Sequence, residues 1–214
     1  MTGPVVAIDG PAGVGKSTLA RRLAQDLGLR YVNTGLMYRA LARAALDRGI
    51  DPEDGPTLAS LARSLRFEVR GAAPPRLKST AYDERDLGAA EVEDVVSAVA
   101  RHPEVREVLR AEQRALGSGG AVVEGRDIGS VVFPDADVKV YLTGDQSVRA
   151  ERRIRERGAG DRALAEALAR RDERDARTNP FVPPPDARKV DTTGKDADRV
   201  FREVRDIVRA VLGQ

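Results

Sequence analysis

Gly10-Pro11-Ala12-Gly13-Val14-Gly15-Lys16-Ser17 matches the pattern G-x-x-x-x-G-K-[ST] without a mismatch. Pro4 to Asp9, just before it, is an apolar run of strand length, and Leu19, Leu23 and Leu27 after it stand at helical spacing. Strand, glycine-rich turn and helix in that order build a phosphate cradle. The glycines let backbone N–H groups converge on oxygens, and the helix start adds unpaired N–H groups and the positive end of its dipole. In such a cradle Lys16 reaches the β- and γ-phosphates of a nucleoside triphosphate, and Ser17 holds Mg2+.

Outward from the cradle, strands are expected at Tyr31-Val32, Ala121 to Glu124, Val138 to Leu142 and Arg188 to Asp191. Helices are expected at Lys16 to Leu27, Met37 to Leu46, Leu58 to Leu65, Val92 to Val99, Val105 to Leu116 and Ala197 to Leu212. That alternation implies an α/β protein with a mainly parallel sheet and helices on both faces. From about Leu65 to Gly119 the alternation breaks. Short strands at Phe67-Glu68-Val69 and Leu77 to Tyr82 flank a turn at Gly71 to Pro75, which reads as an insertion rather than a second domain. Arg149 to Arg174 is a highly charged helical region broken at Gly158-Ala159-Gly160.

Composition narrows the class. The 214 residues are 41% hydrophobic, enough for one full core. Cysteine is absent, which excludes disulfides, thiol catalysis and cysteine-based metal sites. No apolar run is long enough to span a bilayer, and Met1 to Asp9 lacks the pattern of a secretory leader, so the cytoplasm is the expected compartment. A net charge of +2 gives no argument for nucleic acid. Yet 31 of the 36 basic residues are arginine, which fits either arginine-rich codon usage or repeated handling of phosphate by forked guanidinium groups.

The cradle alone leaves kinases, ATPases and GTP-driven switches open. A guanine-reading N-K-x-D motif is absent. A motor ATPase would carry an apolar strand ending in an acidic magnesium residue, and Glu124 ends such a strand. Asp191-Thr192-Thr193-Gly194 lies too late for a switch motif and reads as a strand exit near the nucleotide base.

Three further segments suggest a second ligand. Asn33-Thr34-Gly35-Leu36-Met37-Tyr38-Arg39 brings a hydroxyl, a glycine and an arginine to a helix start, although an ordinary N-cap at Thr34 would use the same residues. Glu124-Gly125-Arg126-Asp127-Ile128-Gly129 follows a strand end, where open parallel sheets bind ligands; a structural Arg–Asp turn is the alternative. Arg171, Arg174 and Asp175 share one helix face, as a ligand-binding row or as a solvated charge stripe. Arg149, Arg152, Arg153, Arg155 and Arg157, beside the glycine break, suit either a mobile lid over phosphates or a solvated helix. His102, the one histidine, reads as a surface or capping residue.

Together these pieces resemble the bacterial cytidylate kinase family, among the P-loop nucleoside monophosphate kinases. The resemblance runs from Val6 to Gly194 through I-D-G-P-A-G-V-G-K-S-T, T-G-L-M-Y-R, V-S-A-V-A-R-H-P-E-V-R, V-E-G-R-D-I-G-S-V-V-F-P-D-A, R-R-D-E-R-D and V-D-T-T-G. It implies a single domain over 1–214 with the P-loop NTPase fold: a five-stranded parallel sheet flanked by helices, a short lid and an enlarged α+β monophosphate-binding insertion. The core would comprise 1–34, 120–148 and 175–214, the monophosphate-binding region 35–119 and the lid roughly 149–174.

The implied activity is transfer of the γ-phosphate of ATP to CMP or dCMP with Mg2+, in a cytoplasmic monomer without nucleic-acid or membrane partners. A kinase of another small acceptor such as UMP, and a non-turnover ATP-binding regulatory module, stay as alternatives. Gly10, Pro11, Ala12, Gly13, Val14, Gly15, Lys16, Ser17 and Thr18 would bind ATP, with Ser17 on the metal. Arg39 and Arg126 resemble acceptor-phosphate ligands; Thr34, Arg106 and Asp127 cytosine contacts; Ser97, Arg171 and Asp175 pentose contacts; Arg153 and Arg157 lid arginines acting with Lys16 and Arg126 in catalysis. Three departures from the family pattern stand out. Thr34 replaces the usual serine, the hairpin Ser79 to Asp86 lacks the usual turn, and Arg177 stands two residues after Asp175 instead of three.

Overall fold

The computed structural model describes residues 3–73, 75–77, 82–149, 151 and 182–213. Its center is a sheet of five parallel strands, β1 (Val5–Asp9), β2 (Arg30–Asn33), β5 (Ala121–Gly125), β6 (Val138–Thr143) and β7 (Arg188–Asp191), in the order β2-β5-β1-β6-β7. The sheet and flanking helices agree with the expected P-loop architecture.

Strand alternation divides the core into two layers. Val6 and Ile8 of β1, Val122 of β5, Tyr31 of β2 and Val138, Val140 and Leu142 of β6 pack under α1 (Lys16–Asp26) and the last helix, α7 (Ala197–Leu212). Ala7, Val123 and Val32 face the other way, toward α2 (Thr34–Asp47), α3 (Gly55–Ser64), α5 (Ala90–Arg101) and α6 (Pro103–Gly117). The segment between β2 and β5 also holds the antiparallel pair β3 (Phe67–Glu68) and β4 (Arg76–Leu77) and a single turn of helix, α4 (Glu84–Leu87).

β1 and β5 are neighbours, and the chain leaves them in opposite directions, toward β2 and toward β6. Their carboxyl ends therefore open the crevice in which such sheets bind ligands. Alternation sets the chemistry of this crevice. Glu124 continues the face of Val122 and looks toward α1; Asp9 continues the face of Ala7 and looks toward the segment after β5. That segment makes one π-helical turn, Ile128–Val132, in which Asp127 O accepts from Val132 N and Ile128 O from Phe133 N. Wide turns of this kind occur frequently at functional sites.

α7 and β7 have the boundaries expected from the sequence. α2 begins three residues earlier than its apolar pattern suggests. Asn33, not Thr34, caps it, its side chain accepting from Leu36 N at 3.0 Å. His102 stands at the N-cap position of α6 but makes no side-chain cap hydrogen bond; a ring nitrogen lies 2.8 Å from Pro52 O instead. Among the described residues no helix is long and apolar enough to cross a membrane.

Candidate active site

The phosphate loop leaves β1 at Gly10 and enters α1 at Lys16. Gly10 (φ 149°) cannot be replaced without collision, because a Cβ there would strike the Leu142 carbonyl. Gly13 (φ 75°) lies so close to Arg149 that a Cβ would stand 2.9 Å from its carbonyl oxygen. Gly15, the N-cap of α1, offers no side-chain acceptor, and the first turn carries no acid. The orphan N–H groups and dipole of α1 thus remain available to an anion. Lys16 Nζ donates to Pro11 O at 2.7 Å, an acceptor that phosphate oxygens can replace.

Arg149 reads in sequence as one of the lid arginines. Instead it is buried against this loop, donating to Ala12 O at 3.0 Å and Gly144 O at 3.1 Å, so it props the cradle. Thr192, buried, donates to Thr143 O, and Thr193 ties Asp191 to Asp145 N. The D-T-T-G turn therefore braces the ends of β6 and β7.

Glu124 is the hub on the α1 side. Its Oε2 accepts from Ser17 Oγ at 3.1 Å, and its Oε1 accepts a short hydrogen bond from Tyr31, whose hydroxyl accepts from Asn33 Nδ2 at 3.0 Å. Burial pushes the Glu124 carboxyl up, while Lys16 and the Tyr31 and Ser17 hydroxyls pull it down. A hydroxyl paired with a carboxylate at the mouth of a phosphate cradle is an oxygen donor set that fits Mg2+. Thr34 Oγ1 donates to Glu124 O at 2.8 Å. Its proton is committed there, so the oxygen offers only lone pairs to anything else.

On the opposite face, Asp9 is 3% exposed and uses both carboxylate oxygens. Oδ1 accepts from Ile128 N and Oδ2 from Gly129 N, each at 2.8 Å. The next residue, Gly10, accepts from Arg126 Nη1 at 2.8 Å. The last residue of β1 and the first of the phosphate loop thus fasten the turn that carries Arg126 and Asp127. Burial is the main reason the Asp9 carboxyl rises from 3.8 to about 6; the two N–H groups oppose the rise.

Asp127 Oδ2 accepts from Arg106 Nη2 at 3.1 Å and Arg110 Nη2 at 2.6 Å, both from α6. Arg114, one turn on, donates to Val131 O and Val132 O at 2.9 Å. The arginines at 106, 110 and 114 form a ladder along the π-helical turn. Tyr38 is partly buried beside them, and burial is the main reason its phenol is pushed up to about 12. Arg39 donates through Nε and Nη2 to Glu93 Oε1 at 3.2 and 3.0 Å. Ser97, buried on α5, stands one turn from Glu93 and shares its side of that helix.

The structure thus collects Lys16, Ser17, Thr34, Arg126 and Asp127 around the ends of β1 and β5. Arg106 joins them from α6, and Arg39 with Ser97 lies at the α2–α5 contact. Arg153, Arg157, Arg171, Asp175 and Arg177 lie outside the described residues.

The cytidylate kinase family model matches residues 6–210 of this chain. The chain belongs to the cytidylate kinase family. It is 44% identical to the cytidylate kinase of Acidiphilium cryptum across all of both chains. It is 42% identical to that of Methylocella silvestris, over 96% of this chain and 94% of the other. In fold it is similar to an uncharacterized protein from Eubacterium ventriosum, with a TM-score of 0.50 at 13% identity, over 97% of this chain and 98% of that one.

Against this cytidylate kinase background, the sequence pattern did not single out Asp9, Tyr31, Glu93, Arg110 or Arg114 as site residues. The arginine ladder did leave a signal. Arg106, Arg110 and Arg114 are spaced four apart, a single helix face. Asp9 left none, because strand-end carboxylates are common and its partners are distant backbone groups.

Proposed function

We infer that this protein transfers the γ-phosphate of ATP to CMP or dCMP, giving ADP and CDP or dCDP. The observation that carries this reading is the fastening of the Arg126–Asp127 turn by Asp9 and Gly10 to the junction of β1 and the phosphate loop. A cation for the acceptor phosphate and a carboxylate for its base are thereby tied to the donor cradle, and in-line transfer requires donor and acceptor to be held in fixed relation.

Base choice follows from hydrogen-bond chemistry. Asp127 in its ionised form accepts only, and the Thr34 hydroxyl has spent its proton on Glu124 O. Two acceptors suit the exocyclic amino group of cytosine and repel the carbonyl that uracil presents there. Arg106 would serve the remaining cytosine acceptors.

Lys16, Arg126 and Arg39 would exchange their carbonyl and carboxylate partners for phosphate oxygens and counter the charge that spreads in the transition state. When bound, Mg2+ would neutralise charge on the ATP phosphates. Ser17 would hold it, with Glu124 positioning the hydroxyl. Among the described residues no cluster of three acidic or histidine side chains could hold a metal alone, so phosphate oxygens and water would complete the shell. Region 35–119 and lid 149–174, with Arg153 and Arg157, would close to exclude water, and Arg171, Asp175 and Ser97 would take the pentose.

A coupled assay of ADP formation across CMP, dCMP, UMP, AMP and GMP tests the reading. CMP and dCMP should give the highest kcat/KM. A preference for another monophosphate would replace the assigned acceptor, and CMP-independent turnover would overturn the transfer.

A further inference from the structure

We propose that Arg110 is a specificity-determining positioning residue: it holds Asp127 in place for the cytosine amino group and frees Arg106 to meet the base. The proposal deepens the (d)CMP kinase reading and rests on it.

The geometry separates three arginines on one helix face. Arg114 donates to two backbone carbonyls, Val131 O and Val132 O, and so holds the main chain of the π-helical turn. Arg110 makes a different use of its five donors. Among the described residues its one hydrogen-bonded acceptor is Asp127 Oδ2, at 2.6 Å, and its Nε is buried without a partner. A guanidinium anchored mainly for architecture would be expected to satisfy more of these donors on carbonyls. Arg106 reaches the same oxygen from one turn earlier, at the longer distance of 3.1 Å.

One carboxylate oxygen therefore carries two guanidinium groups, with the three side chains between 13% and 23% exposed. The arrangement is redundant for Asp127 alone and purposeful if one arginine must leave. A base entering the crevice needs donors for its ring nitrogen and carbonyl acceptors. Arg106, the longer-held of the two, can swing to them only if Asp127 keeps a counter-charge and a fixed direction. Arg110 supplies both. Without Arg110, Asp127 would hold Arg106 to itself, and a carboxylate free to rotate would discriminate less between an amino group and a carbonyl. Buried Gln113 and partly buried Tyr38 lie on this side of the site.

Steady-state kinetics of Arg110→Gln and Arg110→Lys with CMP and UMP test this, with folding checked by circular dichroism. In Arg110→Gln the KM for CMP should rise about tenfold or more, a charged hydrogen bond's worth, while kcat, the KM for ATP and the UMP parameters change little. The CMP-to-UMP ratio of kcat/KM should fall by the same factor, and Arg110→Lys should recover part of it. The decisive arm is the double variant with Asp127→Asn. If Arg110 acts through Asp127, adding Arg110→Gln to Asp127→Asn should leave the ratio where Asp127→Asn alone puts it. A ratio unchanged in Arg110→Gln, or losses that multiply in the double variant, would overturn the proposal. Should Arg110→Gln not fold, Arg110→Lys decides by the same ratio. Wild-type protein runs alongside: if it fails to use CMP, the function reading falls, whereas CMP kinase activity with an unaltered variant ratio removes only the role of Arg110.

Discussion

Lowering the pH through the range of Asp9 should stabilise the fold and disable the enzyme together. The folded carboxyl is raised by burial from 3.8 to about 6, with Asp127 adding to the rise and Lys16 and the N–H groups of Ile128 and Gly129 opposing it. In the unfolded chain the same group titrates near 3.8. Between these values the folded state binds a proton that the unfolded state does not. Stability from this group is therefore complete below the unfolded value and lost as pH rises through the folded one. The gap from 3.8 to about 6 corresponds to about 3 kcal/mol of cost at neutral pH. Function runs the other way, because only the ionised form accepts from both N–H groups that fix the acceptor turn. Asp9→Asn cannot titrate and serves as the reference. Urea unfolding should show wild type gaining about 2 kcal/mol over the variant as pH drops from about 7.5 to about 4.5. Over the same span the wild-type kcat/KM for CMP should fall relative to the variant, with a midpoint near that of Asp9. The comparison cancels the titration of the CMP phosphate itself, which lies near pH 6. A flat stability difference, or identical acid limbs in the two proteins, would refute the reasoning.

Three other substitutions probe the two ends of the site. Lys16→Ala should lower kcat by on the order of 10² to 10³ and leave thermal unfolding nearly unchanged, because the lysine meets charge that develops on phosphate; near-normal turnover in folded variant would remove that role. Asp127→Asn places a donor where the site needs an acceptor, so the CMP-to-UMP ratio of kcat/KM should fall more than about tenfold; equal losses on both substrates would make Asp127 a scaffold residue. Asp175→Ala should affect CMP and dCMP unequally, since they differ by one hydroxyl, and equal losses would count against a sugar contact.

What could be read from the sequence was what local chemistry specifies. The cradle is legible because its glycines, Lys16 and Ser17 are consecutive, and strand and helix flank it. α7 is legible because Val200, Val204 and Val208 recur at helical spacing. The face assignments of Asp9 and Glu124 needed the sheet. Asp9 meets Ile128 and Gly129 across 119 and 120 residues, and only the pairing of β1 with β5 brings them together. Asn33 rather than Thr34 caps α2 because the Thr34 hydroxyl is drawn to Glu124 O, a partner 90 residues away. Arg149 shows the opposite error. Its charged surroundings suggest a solvent-facing helix, yet Ala12 O and Gly144 O draw its guanidinium inward.

The central claim is phosphoryl transfer from ATP to a cytosine monophosphate, and product stoichiometry tests it most directly. Purified protein with ATP, Mg2+ and CMP should form CDP and ADP in equal amounts, with almost no ADP when CMP is omitted. ADP accumulating without matching CDP, or at the same rate in the absence of CMP, would contradict it.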